Sequence, residues 1–387
     1  MKWKNKGHEY DNIEMNFNAG TKIWIYGAGE NGKDLCRELA FADCVAGFID
    51  NNAEKIKAGI WEGKQIISSE SFLAQFHDNC IVVVAVALPN MPVVVRQMIR
   101  SGWEEGKNLF IYHIFHYSYL PIWALRSWGK IYIPTVSFLV TTMCNLDCKG
   151  CLNFTHFNKN KRHYDLERLK SDIDLLFKKV NYIWYLHLSG GEPFLHPHLE
   201  GFIEYIDSNY KHQIGILGTT TNGTIIPKES LCKTLKKADI RVWIDDYREN
   251  VPLAKEKFEK VKKQLEDFDV CYISNQTDQW LDIQNTETEL DEKKLRNRCE
   301  ACDVPFVSVK DHKIYGCNYC DYAWEAGISE GNENDYLDLE QISEGEKAQI
   351  TEFIMGYSDN GYYTFCKNCS GYQASNQKQI KVAEQYK

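Results

Sequence analysis

Val136-Ser-Phe-Leu-Val140-Thr-Thr-Met-Cys144-Asn-Leu-Asp-Cys148-Lys-Gly-Cys151 is the stretch on which the reading of this chain turns. The apolar, β-branched run Val136–Val140 predicts a strand. The loop after it carries three cysteines in a C-x3-C-x2-C spacing. Three thiolates on one short loop suit three irons of a [4Fe–4S] cube and leave the fourth iron open to another ligand. Structural zinc is the competing reading, but it takes four ligands, usually from paired CxxC motifs.

On either side of this loop the pattern alternates between short apolar runs and helical stretches, which predicts an α/β fold. Strands are expected at Ile183–Ser189, Gln213–Thr219, Arg241–Asp245 and Val270–Ser274. Helices are expected at Leu166–Val180 and His198–Tyr210, and the charged stretch Lys255–Asp267 reads as a solvated helix. Upstream, strands are expected at Lys22–Tyr26, Val45–Ile49 and Ile81–Ala87, with helices over Asn31–Phe41 and after Pro89. The aromatic stretch Tyr117–Lys130 reads as a packed connector. From about Gln284 the chain is polar and loop-rich, and residues 325–347 read as acidic and irregular.

The composition fits a globular chain of two or three domains: 387 residues, 44% hydrophobic and 26% charged. The net charge of -9 argues against a nucleic-acid partner, because phosphate-binding chains usually carry the opposite sign. No apolar run reaches the length of a membrane span, and the first residues lack the apolar core of a signal peptide. A cytoplasmic location is therefore expected. The unusual number is 14 cysteines. In a reducing compartment, clustered cysteines point to metal rather than disulfides. Cys36, Cys44, Cys80, Cys232 and Cys271 are scattered and read as small core residues. The other nine are grouped, as metal sites require.

Near the N-terminus, Gly27-Ala-Gly29-Glu-Asn-Gly32 follows a strand and opens a helix, and Asp50 ends the next strand. In that setting glycines permit close backbone approach, the helix N-terminus faces a pyrophosphate, and the acid meets a ribose hydroxyl. A Rossmann-like unit is expected. Its glycines would either bind a ligand or serve packing alone. The motif also looks like small nucleotide-binding modules of bacterial glycan enzymes, some of which bind nucleotide-sugars. About 100 residues are too few for a complete dehydrogenase.

Beyond the cysteine triplet, Ser189-Gly190-Gly191-Glu192-Pro193 ends one expected strand, Thr220-Thr-Asn222-Gly223 another and Ile244-Asp245 a third. Together with Cys144, Cys148 and Cys151, these resemble the radical S-adenosylmethionine (SAM) superfamily over residues 134–275. The resemblance implies a partial (β/α)6 barrel of the TIM type. It also implies a SAM-binding [4Fe–4S] cluster and SAM contacts from Gly190, Gly191 and Glu192 on the methionine side. Asn222 would lie on the ribose side, with a polar contact from Asp245. Such sites sit at strand C-terminal ends. One departure is Gly150, which stands where the family usually has an aromatic residue near the adenine. His187, Ser189, His196 and His198 lie near the strand-end motif and suit proton transfer, but they are assigned no role.

The last cysteines extend the resemblance. Cys302 precedes an expected hairpin with its turn at Lys310–Lys313, Cys317 follows it, and Cys366 and Cys369 form a distant CxxC. This is similar to the SPASM domain and its shorter twitch form, which implies an auxiliary [4Fe–4S] cluster on those four cysteines. Cys299 and Cys320 are left over as substitute ligands, free thiols or hydrogen-atom donors. Zinc on the CxxC pairs is the alternative. The expected layout is a Rossmann-like domain over 1–120, a radical SAM core over 121–283 and a SPASM/twitch domain over 284–387.

The function implied is abstraction of hydrogen from a C–H of a sugar, nucleotide-sugar or polyol, in a dehydrogenation or epimerisation. The electrons would come from a reductase such as flavodoxin or ferredoxin. Maturation of a ribosomal peptide is the second expectation, and a non-catalytic binding or redox-sensing role the third.

Overall fold

The computed structural model describes residues 18–75, 77–283, 291–302, 304, 306–356, 360–372 and 376–386. The first residues of the chain, Pro305 and the start of the expected 284–387 segment lie outside the described residues. Two compact units are present, Met1–Tyr132 and Ile133–Lys387.

In the first unit, β1 (Lys22–Tyr26), β2 (Val45–Ile49), β3 (Ile60–Trp61), β4 (Lys64–Ile67), β5 (Cys80–Val84) and β6 (Leu109–Ile111) form one sheet in the order β3-β4-β2-β1-β5-β6. The β4-β2-β1-β5-β6 neighbours are parallel, and β3 pairs antiparallel with β4. The chain order reverses across β1 and β5, the kind of switch point where open α/β sheets bind ligands. The sequence pattern missed the short β3–β4 hairpin and β6, which carry only two to four residues each.

The glycine motif sits at the end of β1 and opens the helix Glu30–Glu38. Gly27 has φ +115°, and a Cβ on Gly32 would stand 1.9 Å from the Gly27 carbonyl oxygen. Both glycines are therefore demanded by the fold itself. A Cβ on Gly29 would meet nothing within 4 Å. The connector is a π turn (Phe115–Tyr119) and a helix (Leu120–Trp128), and it belongs to this unit, which runs to Tyr132 rather than ending at 120. Fully buried Glu38 anchors it by accepting from the Tyr112 and Tyr132 hydroxyls and pairing with His116 Nδ1.

In the second unit the strands are β7 (Tyr132–Thr141), β8 (Tyr182–Gly190), β9 (Ile214–Thr221), β10 (Arg241–Asp245), β11 (Tyr272–Asn275), β12 (Gln279–Leu281), β13 (Val307–Lys310), β14 (Lys313–Tyr315), β15 (Tyr336–Asp338) and β16 (Gln379–Lys381). Eight of them form a sheet in the order β11-β10-β9-β8-β7-β13-β14-β15, while β12 and β16 pair separately. The first five run in chain order, as a barrel core requires. The sixth parallel strand, β13, joins beside β7 at the opposite edge from β11. The segment after 284 thus continues the sheet of the core. β7 is buried along its whole length, as a strand covered on both faces must be.

The β13–β14 turn falls at Asp311 and His312, with φ of 53° and 61°. Positive φ at both central residues is what a tight hairpin with strand-matched twist needs, and Asp and His tolerate it better than most side chains. Asp172, on the helix Leu166–Lys179, accepts from the amides of Asp311 (3.1 Å) and His312 (2.6 Å) and so docks the hairpin on the core. Behind it, buried Lys310 pairs with Asp321 (2.6 Å) and Glu325 (3.1 Å). The stretch read as irregular contains β15, the third strand of this edge. The charged helix Pro252–Asp267 is solvated on one side only; Ala254, Phe258, Val261 and Leu265 bury its other face.

These packing demands separate the three motif glycines. Gly32→Ala should lower stability by about 1–3 kcal/mol, the usual cost of overpacking. Gly29→Ser, which places a helix-capping hydroxyl in open space, should stay within about 0.5 kcal/mol of the native protein. Thermal unfolding of both variants checks the contrast. Equal losses would contradict the packing account.

Candidate functional site

The C-terminal ends of β7, β8, β9 and β10 meet at one cavity. It holds ≈ 990 Å³ of free space, counting its open mouth. Cys144, Cys148 and Cys151 line it, together with Gly190, Gly191, Asn222 and Asp245. Seven of the residues singled out by the sequence thus come together, although they are spread over 102 positions of the chain.

The Gly190-Gly191 pair explains how the strand ends come so close. A Cβ on Gly191 would lie 2.3 Å from the Met143 carbonyl oxygen, and one on Gly190 would lie 2.9 Å from that of Thr141. Without side chains, Gly191 N donates to Thr141 O (2.9 Å) and Glu192 N to Met143 O (2.8 Å). The cysteine loop is therefore laid directly against the end of β8.

Glu192 follows this turn. It is fully buried and does not line the cavity. Its two oxygens accept from the backbone amides of Phe194 (3.0 Å) and Asn222 (2.8 Å), tying the ends of β8 and β9 together. Burial pushes its carboxyl up to about 7. Asn222 is held as well: its Nδ2 donates to Asn145 Oδ1 (3.1 Å) and lies 3.8 Å from Cys144 Sγ, and its Oδ1 accepts from Thr224. Asp245 accepts from the Tyr247 hydroxyl (2.8 Å) and Asn275 (3.3 Å), and burial raises its carboxyl above the ordinary range.

The thiols test what the cavity is suited to hold. Burial pushes Cys144 and Cys148 up to about 12, and the neighbouring thiols add repulsion. No Lys or Arg is among the described lining residues. Three thiolates in such a place require a cationic metal centre to neutralise them. Among the described residues no three Cys, His, Asp or Glu side chains converge on a single ion position. Three thiols on one loop suit three irons of a cluster with its fourth iron open, whereas structural zinc takes four ligands.

The rest of the lining was not singled out by sequence. It includes Tyr247, Trp280, Phe306 and Tyr319, with Ser137, Asn153, Thr220 and Asn318. Ser137 lies within β7, Trp280 within β12 and Tyr319 in the helix Asn318–Glu325, so no strand-end motif marked them. His187 and Ser189 also line the cavity, whereas His196 and His198 do not. His187 bonds Thr220 Oγ1 (2.9 Å), and burial pushes its imidazole down to about 4, so it is neutral at pH 7.

The C-terminal cysteines gather around Tyr363. This buried phenol is raised well above its ordinary value, by burial first and then by the charges of Cys299, Cys317, Cys366 and Cys320. A Cβ on Gly316 would stand 1.9 Å from the Tyr363 hydroxyl, so the glycine before Cys317 makes room for the ring. Cys369 is pushed up to about 11 by burial and by Cys302 and Cys299, against the pull of Arg298. The two leftover cysteines, Cys299 and Cys320, therefore sit in the same neighbourhood as the other four. None of the 14 cysteines is in a disulfide. Among the scattered five, Cys36, Cys44 and Cys232 are buried, Cys80 is half-buried and Cys271 is exposed, so Cys271 is not a core residue.

Gly27, Gly29, Gly32 and Asp50 all lie in the first unit. Asp50 accepts from the amides of Ala28 (2.8 Å) and Asn52 (2.8 Å), so one oxygen braces the glycine loop and the other the turn after β2. Glu30 adds an acid to the first turn of the helix that would face a phosphate.

Residues 138–277 match the family model described as the radical SAM superfamily. The antilisterial bacteriocin subtilosin biosynthesis protein AlbA of Bacillus subtilis (strain 168) is 32% identical over 103 residues, which are 26% of this chain and 21% of that protein. The match spans about a fifth of that relative's length. Among solved structures, native anSMEcpe with bound AdoMet aligns with a TM-score of 0.41 and 16% identity, over 61% of this chain and 84% of that one. BtrN in complex with AdoMet and 2-DOIA gives 0.40 and 18%, over 65% and 98%. Streptococcus suis SuiB bound to S-adenosylmethionine gives 0.31 and 14%, over 63% and 51%. No helix among the described residues is long and apolar enough to cross a membrane. Residues 138–277, which carry the cysteine triplet and the strand-end motifs, are thus similar to the radical SAM superfamily.

Proposed function

We propose that Cys144, Cys148 and Cys151 hold a [4Fe–4S] cluster and that Gly190, Gly191, Asn222 and Asp245 border the SAM beside it. When bound, these groups supply one-electron cleavage of SAM to methionine and a 5′-deoxyadenosyl radical that takes hydrogen from a substrate C–H. The chain's part is to hold the substrate carbon close and to keep water out. Glu192 acts from behind, fixing the strand ends rather than touching SAM.

The observation that carries the substrate reading is the cavity lining. Aromatic faces (Tyr247, Trp280, Phe306, Tyr319) stand beside neutral hydrogen-bonding groups (Ser137, Thr220, Asn318, His187), with no Lys or Arg among the described lining residues. That combination suits an uncharged, hydroxyl-rich molecule such as a sugar or polyol, oxidised or epimerised at carbon. It does not suit a diphosphate, so the nucleotide half of a nucleotide-sugar finds no cation there. Modification of a peptide is the second reading, favoured by the 32% identity to a bacteriocin biosynthesis protein.

Cys302, Cys317, Cys366 and Cys369 are proposed to hold an auxiliary [4Fe–4S] cluster in a SPASM/twitch-type segment. Four thiolates would leave it no open iron, so it suits electron transfer rather than substrate binding. The first unit is proposed as a Rossmann-like module. The parallel order about β1 supports that fold. The engaged Asp50 and the acidic Glu30 favour packing over dinucleotide binding.

Reconstituted anaerobically with iron and sulfide, the native protein should hold about eight irons per chain, two cubes. Replacing Cys302, Cys317, Cys366 and Cys369 together by Ala should remove about half of them, and a variant with unchanged iron would refute the auxiliary assignment. Cys148→Ala should abolish 5′-deoxyadenosine formation. A panel of neutral sugars, polyols, nucleotide-sugars and peptides, scored by substrate-dependent 5′-deoxyadenosine, separates the two readings. Stimulation by peptides alone would overturn the sugar reading.

A further inference from the structure

The segment 379–386 returns across the cysteine loop as a strap. β16 pairs antiparallel with β12, and Cys148 and Gln385 form an antiparallel bridge. Lys149 N donates to Glu384 O (2.6 Å), and Tyr386 N donates to Asp147 O (2.9 Å). The Tyr386 ring stacks on His156 with centroids 3.5 Å apart. Buried Val382 and Ala383 share one apolar cluster with Cys148, and Cys144 and Cys151 pack against that cluster.

Two contacts show that the strap and the loop are built for each other. Gly150 has φ +63°, a conformation side chains rarely adopt, and Ile380 Cδ1 stands 1.7 Å from where a Cβ would be. Ile380 therefore covers this flank of the loop. Second, the Gln385 side chain grips both partners of the loop: its oxygen accepts from Asp147 N (2.8 Å), and its Nε2 donates to Cys148 Sγ (2.9 Å).

We propose that Gln385 is a positioning residue that sets the reduction potential of the cluster held by Cys148. An N–H donated to a ligand sulfur draws off negative charge and favours the reduced cluster, one of the main controls on iron–sulfur potentials. Burial of Cys148, only 8% exposed, keeps water from replacing the donor. The inference rests on the cluster assignment above.

The test is a redox titration of the full-length reconstituted protein, followed by the paramagnetic signal that changes on adding SAM. Gln385→Met keeps the bulk and removes the donor. Gln385→Asn keeps the amide but draws it back from the sulfur. The expected result is native iron content and a midpoint potential shifted to more negative values, in whichever of the two variants retains the cluster. A native potential in every variant that retains it, or loss of the cluster in both, overturns the proposal. If the native protein itself shows no signal responsive to SAM, the cluster assignment fails instead.

Discussion

Glu192 joins three strand ends. Its own amide reaches Met143 at the end of β7, and its carboxylate takes the amides of Phe194 and of Asn222 at the end of β9. Breaking a fully buried carboxylate of this kind leaves amides without acceptors, and each such loss costs about 1–3 kcal/mol. The cysteine loop, the Gly190-Gly191 turn and Asn222 keep their relative positions because of this brace. Everything assigned to the cavity depends on it.

The brace also changes how the strand-end motif is understood. Its two glycines let β8 close against Met143 and Cys144, and its acid locks the closure. A motif that resemblance assigns to ligand contact is, in this chain, first a device of backbone packing. The glycines near the N-terminus show the same economy. Gly27 and Gly32 satisfy each other's steric needs, and Asp50 ties the loop shut. Glycine-rich turns at strand ends thus acquire their composition from close approach before any ligand is considered.

Much of the fold was legible in the sequence because strands and helices leave periodic patterns. Arg241–Asp245 and Lys22–Tyr26 have the bounds their apolar runs suggest. The cysteine spacing pointed to the loop that lines the cavity, because ligand-bearing loops need fixed intervals. What could not be read depends on partners far away in the chain. Gln385 and Cys148 are 237 positions apart, and neither residue type announces the other. β13 joins the edge beside β7 rather than following β11, because Asp172 and the buried Lys310 network dock its hairpin there. Phe306 and Tyr319, on either side of that hairpin, line the cavity beside residues of β8 and β9. The amides that Glu192 accepts from depend on how β8 and β9 end beside each other, and no spacing encodes that.

The most direct measurement is anomalous scattering at the iron edge from anaerobically grown crystals of the reconstituted protein. The account predicts a multi-iron peak in the cavity, bonded to Cys144, Cys148 and Cys151, with one iron left open toward Gly190 and Gly191. A single zinc ion on the triplet, or metal confined to the Tyr363 neighbourhood, would contradict it.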